Sequence, residues 1–513
     1  MHVPLVDVST SVPDPNDPKQ AAVLALLQLN PVALELGELF QAAGHSLALV
    51  GGSVRDALLG RLGDDLDFTT DARPEQIMAL VRPWGDAVWD VGIAFGTVGV
   101  QKDGLKLEIT TYRSEAYDRE SRKPVVDYGD TLEGDLVRRD FTVNAMAVRL
   151  PEIEFVDPFH GFEDLARKVL RTPGTPQESF GDDPLRMLRA ARFAAQLEFT
   201  VVPEVEAAMR SMAQRLSIVS AERIQAEFSK LLLGVDPRRG LGLLVGTGLA
   251  DQFLPELPKL RLEIDEHHRH KDVYEHTLIV VEQAMELEDR LSAENAQLSP
   301  AEPDLRKPDL VLRMAALLHD IGKPRTRKFE PGGGVSFHHH ELVGAKMTQK
   351  RLRALKYSKE FVDDVSQLVE LHLRFHGYGE GEWTDSAVRR YVRDAGPLLD
   401  RLHKLTRSDC TTRNRRRAAA LAAAYDDLEV RIARLQEQEE LDSIRPDLDG
   451  NQVMELLGVR PGPVVGRAYK FLLERRLDEG PLGYERAVSE LREWWSLQPE
   501  SADPAPDPAP ADS

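Results

Sequence analysis

Asp65 and Asp67 stand one residue apart in DDLDF, shortly after the glycine pair Gly51-Gly52. Alternate residues of a strand face the same side, so the two carboxylates can jointly hold a divalent ion. LVGGSVRDALLG runs a strand into a Gly-Gly turn and then into a helix. Gly51 and Gly52 let the backbone approach a ligand closely, and the helix start favours a phosphate. Arg55, in the first turn of that helix, adds a charged donor for the same anion. In LKLEITTY, Leu105, Leu107 and Ile109 line one face of a strand, which puts Glu108 on the other with Lys106 and Thr110. Glu108 is therefore a candidate third carboxylate. The set suits phosphoryl transfer, in which Mg²⁺ ions clamp the attacking and leaving oxygens.

A second polar group lies in DLVRRDFTVNAMAV, with Arg138, Arg139, Asp140 and Asn144. Arg139 offers a fork for a phosphate, and Asp140 and Asn144 offer acceptors and donors for a ribose hydroxyl. Gly181-Asp182-Asp183-Pro184 then opens a helix, with Asp183 as N-cap and Pro184 as first residue. Arg186, Arg189 and Arg192 recur every three residues along it. An Asp oxygen and a guanidinium about one turn apart, as Asp183 and Arg186 are, can mimic the hydrogen-bonding edge of a base.

A third group is rich in histidine. DVYEHTLIVVEQA reads as a helix bearing His276, DLVLRMAALLHDIGKP as one ending near Gly322 with His319-Asp320 in its last turn, and LTRSDC bears Asp409. Imidazoles and carboxylates from three converging helices make a good divalent-metal site. His340 and His372 fit less closely, as outer-shell or second-metal ligands. His338 and His339 read as a polar loop, and Arg413, Arg415, Arg416 and Arg417 as a solvated helix face.

These groups need a frame of several domains, because 513 residues exceed one core. We read residues 1–20 and 498–513 as Pro/Asp/Ala-rich disordered ends. Residues 21–150 mix helices with the strands SLALVGG, DAVWDVGIAFGTVGVQ and LKLEITTY. Residues 151–260 are helical and close on FLPELPKL. Residues 261–425 carry the histidines, and 426–497 are helical to Trp494 and Trp495. No run of apolar residues is long enough for a membrane span, and the start lacks the basic and apolar regions of a signal peptide. One cysteine, Cys410, excludes an internal disulfide and fits a reducing cytoplasm. The net charge of −20 argues against non-specific nucleic-acid binding but leaves room for a local basic groove.

GGSVRDALLG, DDLDF, DLVRRDFTVNA, DDPLRMLRAARF and AERIQAEFSKLL, in this order, resemble the motifs of the class II CCA-adding enzyme and bacterial poly(A) polymerase family, in its actinobacterial form. The resemblance covers about residues 35–240. The histidine segment resembles the HD phosphohydrolase superfamily and extends it to about residue 425.

The resemblance implies an α+β fold, with a polymerase-β-like nucleotidyltransferase head followed by a helical neck, an HD domain and a helical tail. By the same resemblance, Asp65 and Asp67 are the catalytic Mg²⁺ ligands, and Gly52, Arg55 and Arg139 hold the incoming nucleotide. Asp183 and Arg186 pair with the base of CTP or ATP, supported by Arg189 and Arg192. Asp182 stands where the family usually has Glu. His276, His319, Asp320 and Asp409 ligate a divalent metal of unspecified identity. TYRSEAYDRESRKPVVDYGD corresponds to a flexible loop linked to the switch from C to A addition. The implied partner is the 3′ end of tRNA, and no membrane is involved. Related readings are a poly(A) polymerase or an enzyme adding only CC or only A. A reading of a different class is an HD phosphohydrolase with a regulatory head.

Overall fold

The computed structural model describes residues 31–61, 65–92, 96–114, 127–129, 131–261, 272–289, 307–331, 335–378, 383–411, 415–439 and 445–502. The N-terminal segment 1–20, most of the loop TYRSEAYDRESRKPVVDYGD, Arg413 and residues 503–513 lie outside these. The chain forms two compact units, Met1–Pro255 and Glu256–Ser513.

The first unit is built on a seven-stranded sheet. Its strands are β1 (Leu47–Val50), β2 (Asp65–Thr70), β3 (Ala87–Gly92), β4 (Thr97–Lys102) and β5 (Leu105–Thr111). After the short pair β6 (Arg113–Ser114) and β7 (Asp127–Tyr128) come β8 (Ala147–Leu150) and β9 (Glu154–Val156). The sheet order is β3-β4-β5-β2-β1-β8-β9. Only β2 and β5 run parallel, at its centre. DAVWDVGIAFGTVGVQ, read as one strand, is two antiparallel strands, β3 and β4. Gly99 in β4 explains their close pairing, since a Cβ there would lie 2.2 Å from the Trp89 indole nitrogen. β9 extends the sheet past residue 150, so the head continues beyond the expected boundary.

One face of the sheet is covered where Ala48, Val50, Tyr112 and Ala147 meet Leu132 and Leu136 of the helix Leu132–Val137. Beyond the sheet, the helix Leu185–Leu197 is the hub of the helical part. Its apolar side, with Met187, Leu188, Ala191 and Ala195, is buried. Gly240 allows the helix Pro237–Gly246 to approach closely, since a Cβ there would sit 2.8 Å from the Ala191 carbonyl.

The second unit is helical. Its first part contains the helices Val273–Glu286, Leu310–Leu318, His340–Ala354, Lys359–Leu371 and Leu399–Ser408. Each of the first two begins at an aspartate, Asp272 and Asp309, whose carboxylate accepts a backbone N–H of the first turn. Glu288 and Arg313 are buried and paired in a fork, at 2.6 and 2.7 Å. The helix Arg415–Glu439 runs through the expected boundary at 425/426 without a break. A separate small core of Leu448, Val453, Ala468, Leu472, Ala487 and Leu491 joins the last three helices. Pro499–Ala502 form a 3₁₀ turn inside the stretch expected to be disordered. No helix among the described residues is long and apolar enough to cross a membrane.

Candidate functional site

The parallel pairing of β2 with β5 decides the geometry of the head. Asp67 lies in register with Glu108, and Asp65 with Lys106. In-register neighbours of paired strands share a face, so the Asp67 and Glu108 carboxylates emerge side by side, both exposed. Leu107 and Ile109 are buried on the opposite face, as the alternation in β5 requires.

The glycine turn abuts this edge. Gly51 has φ 72°, ψ −132°, a conformation favouring glycine, at the start of the helix Gly52–Leu58. A Cβ on Gly51 would lie 2.9 Å from a terminal nitrogen of Arg139 and 3.9 Å from Asp67 Oδ2. Turn, arginine and carboxylate thus meet at one point. The Asp67 backbone N–H donates to Ser53 Oγ at 3.1 Å, which ties the strand to the turn. Arg139 is steadied by Asp135, one helical turn earlier, at 3.2 Å.

Behind this open edge lies a buried polar chain. Arg55 is 8% exposed, stacks on Phe193 at 5.2 Å, and donates to both Asp56 oxygens and to Asn144 Oδ1 at 2.7 Å. Asn144 Nδ2 donates to Asp140 Oδ1, and Arg189 closes on Asp140 Oδ2 at 2.6–2.8 Å. Arg189 and Arg192 both reach Glu227, at 3.4 and 3.0 Å. Burial pushes the Asp140 carboxyl up, but the Arg189 charge and the Asn144 hydrogen bond outweigh it and hold the group well below the usual carboxylate range. Burial and the like charge of Arg189 bring Arg192 down to about 10 against the pull of Glu227. Asp140 and Asn144, expected at a ribose, and Arg55, expected at a phosphate, therefore have their polar atoms engaged within the protein.

The helix Leu185–Leu197 starts two residues after Asp183. Pro184 takes the N-cap position, and Asp183 Oδ1 accepts the Leu185 N–H at 3.0 Å. Asp183 Oδ2 is held by Arg223 at 2.6 Å. Arg186 donates to the carbonyl of Arg138 at 2.5 Å and to Ser179 Oγ at 3.0 Å. Sequence reasoning missed Arg223 and Glu227, although both lie inside AERIQAEFSKLL. Their i, i+4 spacing on one helix, opposite the arginine stripe, was the available signal.

The second site lies in the helical unit. Of its ligand candidates, His276 lies in a helix, while His319, Asp320 and Asp409 stand where two others end. His276 Nε2 is 2.9 Å from Asp409 Oδ1, and His319 Nε2 is 3.2 Å from Asp320 Oδ2. The structure adds His340 and His372 from two further helices. Two groups suited to a metal result, His276/His319/Asp409 and Asp320/His340/His372.

Each imidazole is oriented from behind. His319, His340 and His372 donate Nδ1–H to the carbonyls of Ala316, Phe337 and Val369, at 2.8, 2.8 and 2.6 Å, and His276 Nδ1 meets Thr411 Oγ1 at 3.1 Å. This turns each Nε2 toward the cluster. Among the described residues, the buried Nε2 of His372 has no hydrogen-bond partner. Burial disfavours charge on His319, yet Asp320 and Asp409 raise it to about 10, while burial and the neighbouring His319 and His340 bring His372 down to about 3. Donors and charge together fit a divalent cation. Gly322 makes the convergence possible, because a Cβ there would sit 2.2 Å from the His340 carbonyl.

Comparison with known proteins matches three stretches of the chain to described families. Residues 47–171 match the family described as "Poly A polymerase head domain", 198–260 that described as "Probable RNA and SrmB- binding site of polymerase A", and 273–435 the HD domain. The chain is 35% identical over 444 residues to the A-adding tRNA nucleotidyltransferase of Deinococcus radiodurans, covering 84% of this chain and 91% of that protein. The chain belongs to the tRNA nucleotidyltransferase family of CCA-adding enzymes.

Another member, the CCA-adding enzyme of Levilactobacillus brevis, is 42% identical over 226 residues, 44% of this chain, and that match spans about half of the relative, 55%. Among solved CCA-adding enzymes, that of Bacillus stearothermophilus, crystallised with CTP, superposes with a TM-score of 0.62 at 26% identity, over 93% of this chain and 98% of that one. Membership makes the chain a nucleotidyltransferase of α+β fold. Nucleotidyltransferase and HD families generally use divalent metals.

Proposed function

We propose that the chain adds or repairs the 3′-terminal CCA of tRNA from CTP and ATP without a template. The observation that carries this is the parallel β2–β5 register, which sets Asp67 beside Glu108 at the edge where Gly51 and Arg139 meet. The terminal 3′-hydroxyl gives up its proton to solvent and attacks the α-phosphate of the nucleotide, an O–P bond forms, and pyrophosphate leaves with the electrons of the broken P–O bond. Asp65 and Asp67, with Glu108 beside them, would hold Mg²⁺, which supplies charge stabilisation for both oxygens. Arg139 steadies the phosphates over the glycine turn. Asp183 and Arg186 read the edge of the base, and Arg189, Arg192 and Arg55 hold the frame of that reader through Asp140, Asn144 and Glu227. The domain division proposed is a head to about residue 156, a helical neck to about 260, an HD domain and a helical tail.

A second reading of the product, addition of the terminal A alone, is favoured by one observation. One relative aligned over most of this chain, that of Deinococcus radiodurans, is an A-adding enzyme. Purified protein incubated with tRNA lacking CCA, and separately with tRNA ending in CC, followed by sequencing of the products, tests both. Full CCA on the first substrate supports the main reading, and A on the second alone supports the narrower one.

For the HD cluster we propose metal-dependent hydrolysis of a phosphate ester or 2′,3′-cyclic phosphate. His276, His319, Asp320 and Asp409 form the primary ligand set, and His340 and His372 extend it toward a second ion.

A further inference from the structure

Apart from the two sites, the helical unit contains a cleft of about 340 Å³ with basic walls. Lys259, Arg325 and Lys350 line it, and all three are exposed. They come from three separate elements, the turn Pro258–Leu260 and the helices Lys323–Thr326 and His340–Ala354. Among the described residues none of the three side chains has an ion-pair or hydrogen-bond partner. A fourth cation, Arg351, is paired with Glu256 through two bonds of 2.9 Å. Ile321 and Met347 give the cleft apolar wall.

This chain has 85 acidic and 65 basic residues, so three uncompensated cations facing one cavity reverse the prevailing field. Like charges brought together repel unless an anion joins them. Two ammonium groups and one guanidinium fork suit phosphate oxygens. The source of that phosphate is indicated by Lys259, which lies in the segment matched to the family described as a probable RNA-binding site. We infer that this cleft grips backbone phosphates of the RNA substrate and so contributes to tRNA affinity away from the reacting end. The inference rests on the reading of the chain as a tRNA-acting enzyme.

The test uses the full chain with the triple variant Lys259→Ala/Arg325→Ala/Lys350→Ala. The control is Lys328→Ala/Arg353→Ala/Lys359→Ala, which removes the same charge from exposed positions of the same unit. Released counterions set the salt dependence of RNA binding at about 0.7 per contact, so the cleft variant should lower the slope of log K against log salt by about 2. Its Kd for tRNA should rise about tenfold at 0.1 M salt, its KM for tRNA should rise in parallel, and kcat and the KM for nucleotides should stay put. Glu256→Gln, which releases Arg351, should tighten tRNA binding a few-fold. Equal slopes and affinities in the cleft and control variants would overturn the inference. So would a cleft variant that loses only inorganic pyrophosphate binding, which would make this a small-anion site. If the unaltered protein binds tRNA but adds no nucleotide, the functional reading falls while the slopes still decide the cleft. If it adds nucleotides and the slopes agree, the cleft falls alone.

Discussion

Asp67 and Glu108 stand exposed on two strands of the head, whereas Asp320 is 1% exposed among four histidines of the helical unit. Both places collect carboxylates suited to divalent cations, but they solve opposite problems. On the proposed function the head admits a triphosphate and an RNA end at once; its carboxylates face outward, and the rigidity lies behind them, in the chain from Arg55 through Asn144, Asp140 and Arg189 to Glu227. The histidine cluster fixes its own side chains directly, each imidazole held from behind by a carbonyl or hydroxyl. An open site thus takes its order from buried arginines, and a closed one from its own side chains.

Removing a carboxylate should cost function in both places, but structure only in the closed one. Asp67→Ala should lower nucleotide addition by about 10³-fold or more, several kcal/mol of transition-state stabilisation, while tRNA binding and the unfolding midpoint stay as they were. Addition within about tenfold of normal would remove the head edge from the mechanism. Asp320→Ala should lower metal-dependent hydrolysis of a 2′,3′-cyclic nucleotide by about 10²-fold or more and leave nucleotide addition within about twofold. It should also lower the unfolding midpoint, because His319 and Lys323 lose their buried counter-charge. A folded variant that loses both activities together would break the picture of two independent sites.

The motifs made part of this contrast legible. Alternation in LKLEITT set Glu108 against Leu107 and Ile109, and the burial of β5 follows it residue by residue. The HDIGK run placed His319 and Asp320 at a helix end. What one sequence could not give is register: that Asp67 meets Glu108 depends on two strands running parallel from about forty residues apart. The buried arginine chain was hidden for a related reason. Arg55, Asp140 and Glu227 are charged residues in amphipathic patterns, which ordinarily signal a solvated face, and only tertiary packing turned them inward. His340 and His372 come from helices whose convergence depends on Gly322, a contact no local pattern reports.

The buried chain that runs from Arg55 to Glu227 predicts a particular response to pH. Asp140 is held below the usual carboxylate range in the folded state, so its stabilisation is complete above the unfolded pKa of about 3.9 and is lost as pH falls through the lower folded value. Asp140→Asn, which leaves Arg189 without its closest carboxylate, should cost about 3 kcal/mol at pH 7 by denaturant unfolding. The gap between variant and parent should narrow below about pH 4. A gap that stays constant down to pH 3 would mean that the Arg189 pair does not organise the neck.

The smallest effects belong to Asp183 and Arg186, the proposed base reader at the start of the helix Leu185–Leu197. Arg186 is fixed by a backbone carbonyl and Ser179, so it is already oriented. Asp183 has one oxygen on its own helix start and the other on Arg223, whose side chain is 51% exposed. An ion pair that open is worth at most about 1 kcal/mol, little enough for a base to displace. Asp183→Ala and Arg186→Ala should therefore admit UTP or GTP, lowering selectivity about ten- to a hundredfold, more than they slow addition itself. Arg223→Ala should do much less and in a different parameter. Asp183 would keep its bond to Leu185, so selectivity should hold, while the KM for nucleotide shifts by no more than about fivefold as the competing cation is lost. Steady-state kinetics with each nucleotide in turn separates the two. If Arg223→Ala relaxed base choice as strongly as Asp183→Ala, the exposed arginine would itself be part of the reader, and the boundary between open edge and buried frame would have to move outward to include it.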